Sequence, residues 1–286
     1  MGRILLLGGS GRLGSALRLV WDDVVAPSSS ELDLTNEDDL ARYMDQLEPE
    51  GIINCAGLTD VDGCERDPQR ADELNGYAPG RLARRAARAG VRFVHISTDY
   101  VFSGHERRQL LEEDRLAPVN RYGQSKARGE GLVLDSGVQA IVARVQWLFG
   151  GIKSDFVRFV RARLVAGQDV PVVQDQIGVP SYTMDLVAQL SVAWDAGVEG
   201  ILHLGNTGEV SREDQAQLIA DELGCTGHFR PVTWLDLGRS AARPRRSVLD
   251  TTRIRDLVAA RVPQAMDMLA PWQDAQRRYL KQLEQE

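Results

Sequence analysis

A short apolar run, Arg3-Ile4-Leu5-Leu6-Leu7, passes directly into Gly8-Gly9-Ser10-Gly11-Arg12-Leu13-Gly14 and then into Ser15-Ala16-Leu17-Arg18-Leu19-Val20 at helical spacing. An uninterrupted apolar run of that length suits a strand buried on both faces, as in a parallel sheet. Glycines at Gly8, Gly11 and Gly14 let the backbone turn tightly, approach a pyrophosphate, and pack the helix against the strand. The helix N-terminus behind them offers unpaired N–H groups to phosphates. Strand, glycine loop and helix in this order predict a dinucleotide site, with Ser10, Arg12 and Leu13 in the same cradle.

The alternation continues along the chain. Strand-like runs fall at 23–25, 51–55, 91–96 and 138–143, with helical spacing over Glu37–Leu47, 68–90 and 122–134. Such alternation predicts an α/β fold with a doubly wound parallel sheet. Ligands there bind at the carboxyl ends of strands, so the loops after Leu7, Asn54 and Ile96 converge on one crevice. Helical spacing recurs at 155–165, 182–194 and 212–223, with apolar runs at Val170–Val173 and 201–204. Residues 1–150 therefore read mainly as a dinucleotide-binding domain. Residues 151–286 read mainly as a substrate-binding region, with some segments returning to the first.

Tyr122 and Lys126 stand four residues apart, on one face of a predicted helix. Of 34 basic residues only Lys126, Lys153 and Lys281 are lysines, so the pairing is not a by-product of a lysine-rich chain. A phenol beside an ammonium loses its proton more readily, and the pair reads as a general acid with a tuning cation.

Composition bounds the rest. The 286 residues are 43% hydrophobic and 26% charged, ordinary for a globular enzyme. No stretch approaches the roughly 20 apolar residues of a membrane span, and the chain opens on a strand and phosphate loop rather than a leader peptide. Cys55, Cys64 and Cys225 are odd in number and lack metal-ligand spacing, so reduced thiols in the cytoplasm and no required metal are expected. A net charge of −7 argues against nucleic acid and requires a local arginine cluster for any anionic substrate.

With the glycine loop, Ser97-Thr98-Asp99-Tyr100-Val101-Phe102 and Tyr122…Lys126 in hand, the chain resembles the extended short-chain dehydrogenases/reductases, and within them the dTDP-4-dehydrorhamnose reductase family. Matching segments include 31–36, 54–62, Arg144-Val145-Gln146-Trp147, Asp175-Gln176-Ile177-Gly178-Val179-Pro180 and Arg243-Pro244-Arg245-Arg246-Ser247. The resemblance implies that Tyr122 gives a proton to a sugar C4 carbonyl oxygen while reduced nicotinamide delivers hydride. Lys126 would hold the nicotinamide ribose and favour the tyrosinate, and Thr98 would bond the same oxygen. It places Asp33, Leu34, Ala56 and Gly57 on the cofactor, although Asp33 also suits a cap on the helix near Asn36. Tyr100, Phe102, Gln146 and Trp147 would wall the sugar pocket, a Trp at that place otherwise being core. Asp175 and Gln176 would order a loop or meet substrate. Arg243 and Arg246, with Arg245, would take a pyrophosphate or form a solvated patch. Asn75, Cys55 and Cys64 receive no role.

Ser28-Ser29-Ser30 after the second strand, with Arg12 in the loop, suits a 2′-phosphate, so NADPH is expected and NADH tolerated. The partner is a small nucleotide-sugar, with a homodimer left open. Gln146 and Ser181 depart from the family's Arg-Thr-Ser-Trp and Gly-x-Pro-Thr and leave room for a sister 4-keto-6-deoxy sugar, of antibiotic or surface-glycan synthesis. A regulatory, non-catalytic subunit is the rival that retention of Thr98, Tyr122 and Lys126 opposes. A dehydratase would carry Asp-Glu where this chain has Asp99-Tyr100.

Overall fold

The computed structural model describes residues 3–285. Six strands form one parallel sheet: β1 (Ile4–Leu7), β2 (Val24–Val25), β3 (Gly51–Asn54), β4 (Arg92–Thr98), β5 (Ala140–Val145) and β6 (Gly200–His203). Their order is β6-β5-β4-β3-β1-β2, the doubly wound arrangement that the alternating pattern predicts. Side-chain alternation sends Ile4, Leu6, Ile53, Val94 and Ile141 to one face, against Leu13, Leu17, Leu186, Leu190 and Ile254. Leu5, Leu7, Ile52, Phe93 and Val142 point to the other, against Leu40, Met44, Leu82, Ala86 and Val133. Both faces are covered, which is why these strands read as continuous apolar runs. A further core joins Val157, Val160, Val172, Tyr182, Ile219 and Tyr279, around a parallel pair, Val170–Val173 and Phe229–Val232.

Three differences from the sequence reading have physical causes. The 68–90 stretch is broken into Pro68–Ala71, a π-helical turn Asp72–Tyr77, and Ala78–Ala89. Pro79 has no N–H for the carbonyl of Asn75, four residues back, and that carbonyl instead abuts Gly129. A short helix, Val61–Arg66, lies in what reads as loop. Strands β4 and β5 each extend two residues further than expected, because Ser97, Thr98 and Arg144 find buried polar partners that apolar patterning does not register.

Candidate active site

A cleft of about 930 Å³ opens at the carboxyl ends of β1, β3, β4 and β5. Its phosphate end is built from the glycine loop. Gly8 has φ 76°, a left-handed turn that glycine takes without strain. A side chain on Gly14 would overlap the Gly8 carbonyl oxygen, so helix Arg12–Val20 can start against the loop only with glycine there. Arg12 donates to the Ser154 carbonyl at 2.6 Å. Asp33 accepts from the Thr35 N–H and hydroxyl, both at 2.8 Å. The cap on helix Glu37–Leu47 is Asn36, so Asp33 shapes the turn instead and lines the cleft with Leu34, Ala56 and Gly57.

The candidate reacting groups come from β4 and from helix Arg121–Leu134. Asn120 caps that helix by accepting from the Gly123 N–H at 2.8 Å. Gly123 leaves room for the Tyr100 carbonyl, where any side chain would collide. The helix start is therefore pressed against the turn Asp99–Val101, and the rings of Tyr100 and Tyr122 meet edge-on at 5.6 Å. Burial pushes the Tyr122 phenol above its ordinary value, opposed by a hydrogen bond with Thr98 and reinforced by Asp99. The phenol thus stays protonated at neutral pH, as a proton donor must. Burial also raises Asp99, to about 6. Thr98 donates its single hydroxyl proton to Asp99 at 3.0 Å, and Ser247 donates to the other carboxylate oxygen at 2.5 Å.

Lys126 is buried and donates to the Ile96 carbonyl at 2.5 Å. Burial raises the Tyr122 phenol, so the lowering that the Tyr/Lys spacing predicts is not what the site shows. Burial lowers Lys126 itself to about 8, against an opposing pull from Glu130. Since this lies below the ordinary 10.5, the buried charge costs stability below about pH 8. The cost is relieved as pH rises towards the ordinary value. Turnover per KM should accordingly fall as pH rises through about 8, with no parallel fall in thermal stability; a flat pH–rate profile across that range contradicts the assigned charge state.

Opposite these groups, Trp147 lines the cleft with φ 41°, a left-handed conformation rare for a bulky residue. Its indole lies against Gly178, where a Cβ would strike the ring. The Arg212 guanidinium sits 3.5 Å above the indole and 4.7 Å from the Phe156 ring.

A family model described as the RmlD substrate binding domain matches residues 2–284. The chain belongs to this family. The dTDP-4-dehydrorhamnose reductase of Mycolicibacterium smegmatis is 40% identical over 260 residues, 88% of this chain and 79% of that one. A probable low-salt glycan biosynthesis reductase of Haloferax volcanii is 36% identical over 246 residues, 84% of this chain and 82% of that one. The crystal structure of dTDP-4-dehydrorhamnose reductase from Bacillus anthracis in complex with NADP has a TM-score of 0.90 at 28% identity, covering 98% of this chain and 99% of that one.

Several residues that the resemblance to the RmlD-type reductases assigns to the site stand elsewhere. Phe102 is fully buried among Val101, Leu110 and Leu249, not on the pocket wall. Gln146 borders the cleft, yet with its amide oriented to suit its neighbours it donates to the Ser247 carbonyl and accepts from the Leu249 N–H at 3.2 Å. One amide hydrogen and one oxygen lone pair are thus held by backbone, while the side chain keeps the place at the cleft that the resemblance gives it. Arg243 is ion-paired with Asp62 at 2.6 Å, and Arg246 with Glu209; neither borders the cleft. Arg243 and Arg246 are thus neither a free pyrophosphate clamp nor solvated, while Arg245 is exposed.

Other residues of this RmlD-family site were not singled out from the sequence. Asn75 accepts from the Leu58 N–H at 2.8 Å and donates to the Ser125 hydroxyl at 3.0 Å, tying the loop after β3 to the Tyr122 helix. The proline at Pro79, which forces the π-helical turn, is the signal that could have found it. Arg18 borders the phosphate end beside Ala26. Arg212 heads helix Arg212–Glu222, where a cation opposes the helix dipole; that misplacement is its sequence signal.

Proposed function

We propose that this chain reduces the C4 ketone of a nucleotide-linked 4-keto-6-deoxy sugar with NADPH, the substrate being dTDP-4-dehydro-L-rhamnose. The convergence of Thr98, Tyr122 and Lys126 on the glycine-loop cleft carries the reading. The names of the Mycolicibacterium and Bacillus relatives, the latter with NADP bound, support it.

The cradle fits a dinucleotide: Gly8, Gly11 and Gly14 border it without side chains, and Ser10 and Leu13 stand among them. Arg12 and Arg18 bring cations to the cleft beside the glycine loop, and Ser28 a hydroxyl, which suits a 2′-phosphate. Bound there, reduced nicotinamide supplies the hydride. Tyr122 supplies the proton, and its raised value keeps that proton on until an alkoxide develops. Thr98 orients Tyr122, while Asp99 and Ser247 fix Thr98. Lys126 holds the ribose and, through Ile96, the end of β4. Trp147 and Tyr100 wall the sugar and exclude water.

Gly14→Ala should weaken NADPH binding by roughly 10–100-fold, since overpacking of this kind costs about 1–3 kcal/mol. Fluorescence titration with NADPH measures it, and unchanged affinity would remove the glycine loop from the site. A second reading, a reductase of another 4-keto-6-deoxy nucleotide-sugar, is favoured by the Haloferax relative's name. A panel of 4-keto sugars, scored by loss of reduced-nicotinamide absorbance, separates the two. Turnover fastest with the rhamnose precursor supports the first, and turnover with none defeats both.

A further inference from the structure

Arg212 has no role in the chemistry above, and its surroundings are unusual for a cation. It borders the cleft with its guanidinium 3.5 Å from the centre of the Trp147 ring and 4.7 Å from that of Phe156. Among the described residues it has no carboxylate partner; its one side-chain bond is Nη1 donating to Gln215 Oε1 at 2.9 Å. By contrast, Arg243 nearby is matched by Asp62, and Arg246 by Glu209.

Resting on the reductase reading, we propose that Arg212 takes the phosphates of the nucleotide-sugar on the Trp147 side of the cleft. A planar guanidinium stacked on the Trp147 ring and bonded to Gln215 has its orientation set in advance, so less entropy is left to lose when it meets a phosphate. The role given by resemblance to Arg243 and Arg246 passes to Arg212. Desolvation lowers Arg212 to about 10, consistent with a charge that awaits a counter-ion.

Two variants, Arg212→Gln and Arg212→Lys, test this. A charge-assisted bond of this kind is worth about 10–100-fold in binding. KM for the nucleotide-sugar should rise by that factor in Arg212→Gln with kcat much less affected. Inhibition by dTDP should weaken in step, while inhibition by thymidine, which has no phosphate, should not. Arg212→Lys should recover part of the loss. Unchanged dTDP inhibition in Arg212→Gln overturns the proposal, as does a fall in kcat at constant KM or an equal loss with thymidine. NADPH titration of each variant confirms that the fold and cradle survive. Absence of turnover in the unaltered protein would instead defeat the reductase reading, and dTDP binding would still test Arg212.

Discussion

Tyr122→Phe is expected to lower turnover by about 10²–10⁴-fold while NADPH affinity changes little. The phenolic oxygen is the group placed to give a proton, whereas the ring serves as packing: it meets Tyr100 edge-on at 5.6 Å, and phenylalanine keeps that contact. KM for the sugar should therefore shift less than kcat. Stopped-flow oxidation of NADPH under single-turnover conditions reads the chemical step directly. A variant within about threefold of the unaltered protein would exclude Tyr122 as the acid.

Glu130→Ala carries the largest expected cost to stability, about 3–5 kcal/mol. Glu130 holds Arg144 in a two-pronged pair at 2.8 and 2.9 Å, with both side chains almost fully buried at 2% and 1% exposure. Ser97 donates to the same carboxylate at 2.5 Å. Arg144 also donates to the Glu112 carbonyl at 3.0 Å, so one guanidinium ties β5 to the 112 region and to the Tyr122 helix. Deleting the carboxylate leaves a buried cation with no counter-charge, the condition in which a buried pair is most expensive to break. Glu130→Gln, which keeps the shape and one acceptor, should cost less. Denaturant unfolding of the three proteins tests this, and a loss under about 1 kcal/mol in Glu130→Ala would show that water or another carboxylate reaches Arg144. Activity should fall with stability, because Glu130 sits one turn beyond Lys126 and helps keep that ammonium charged.

The parts of this protein written in local chemistry are legible in its sequence. Glycines at Gly8, Gly11 and Gly14 specify their own turn and the helix that follows. Tyr122 and Lys126 need only a helix to share a face. What the sequence conceals is pairing across distance. Arg243 looks free until Asp62, from a helix that reads as loop, is brought against it. Arg212 looks like an ordinary surface residue until Trp147 is folded beneath it. Tyr100 and Phe102 both seem fit to wall a pocket. The turn Asp99–Val101 is helical and not extended, so the first faces the cleft and the second the core. Gln146 differs from the family's serine, yet its amide serves the backbone at Ser247 and Leu249. In each case the residue type was informative and its partner was not.

The central claim is that a hydride from NADPH arrives at C4 of a nucleotide-linked keto sugar while Tyr122 delivers the proton. Incubating the protein with enzymatically generated dTDP-4-dehydro-L-rhamnose and NADPH deuterated at the transferable position, then taking the proton spectrum of the product, tests it directly. The account predicts dTDP-L-rhamnose bearing deuterium at C4, with one NADPH consumed per sugar. Deuterium at another carbon, or a rearranged sugar formed without net oxidation of NADPH, would contradict it.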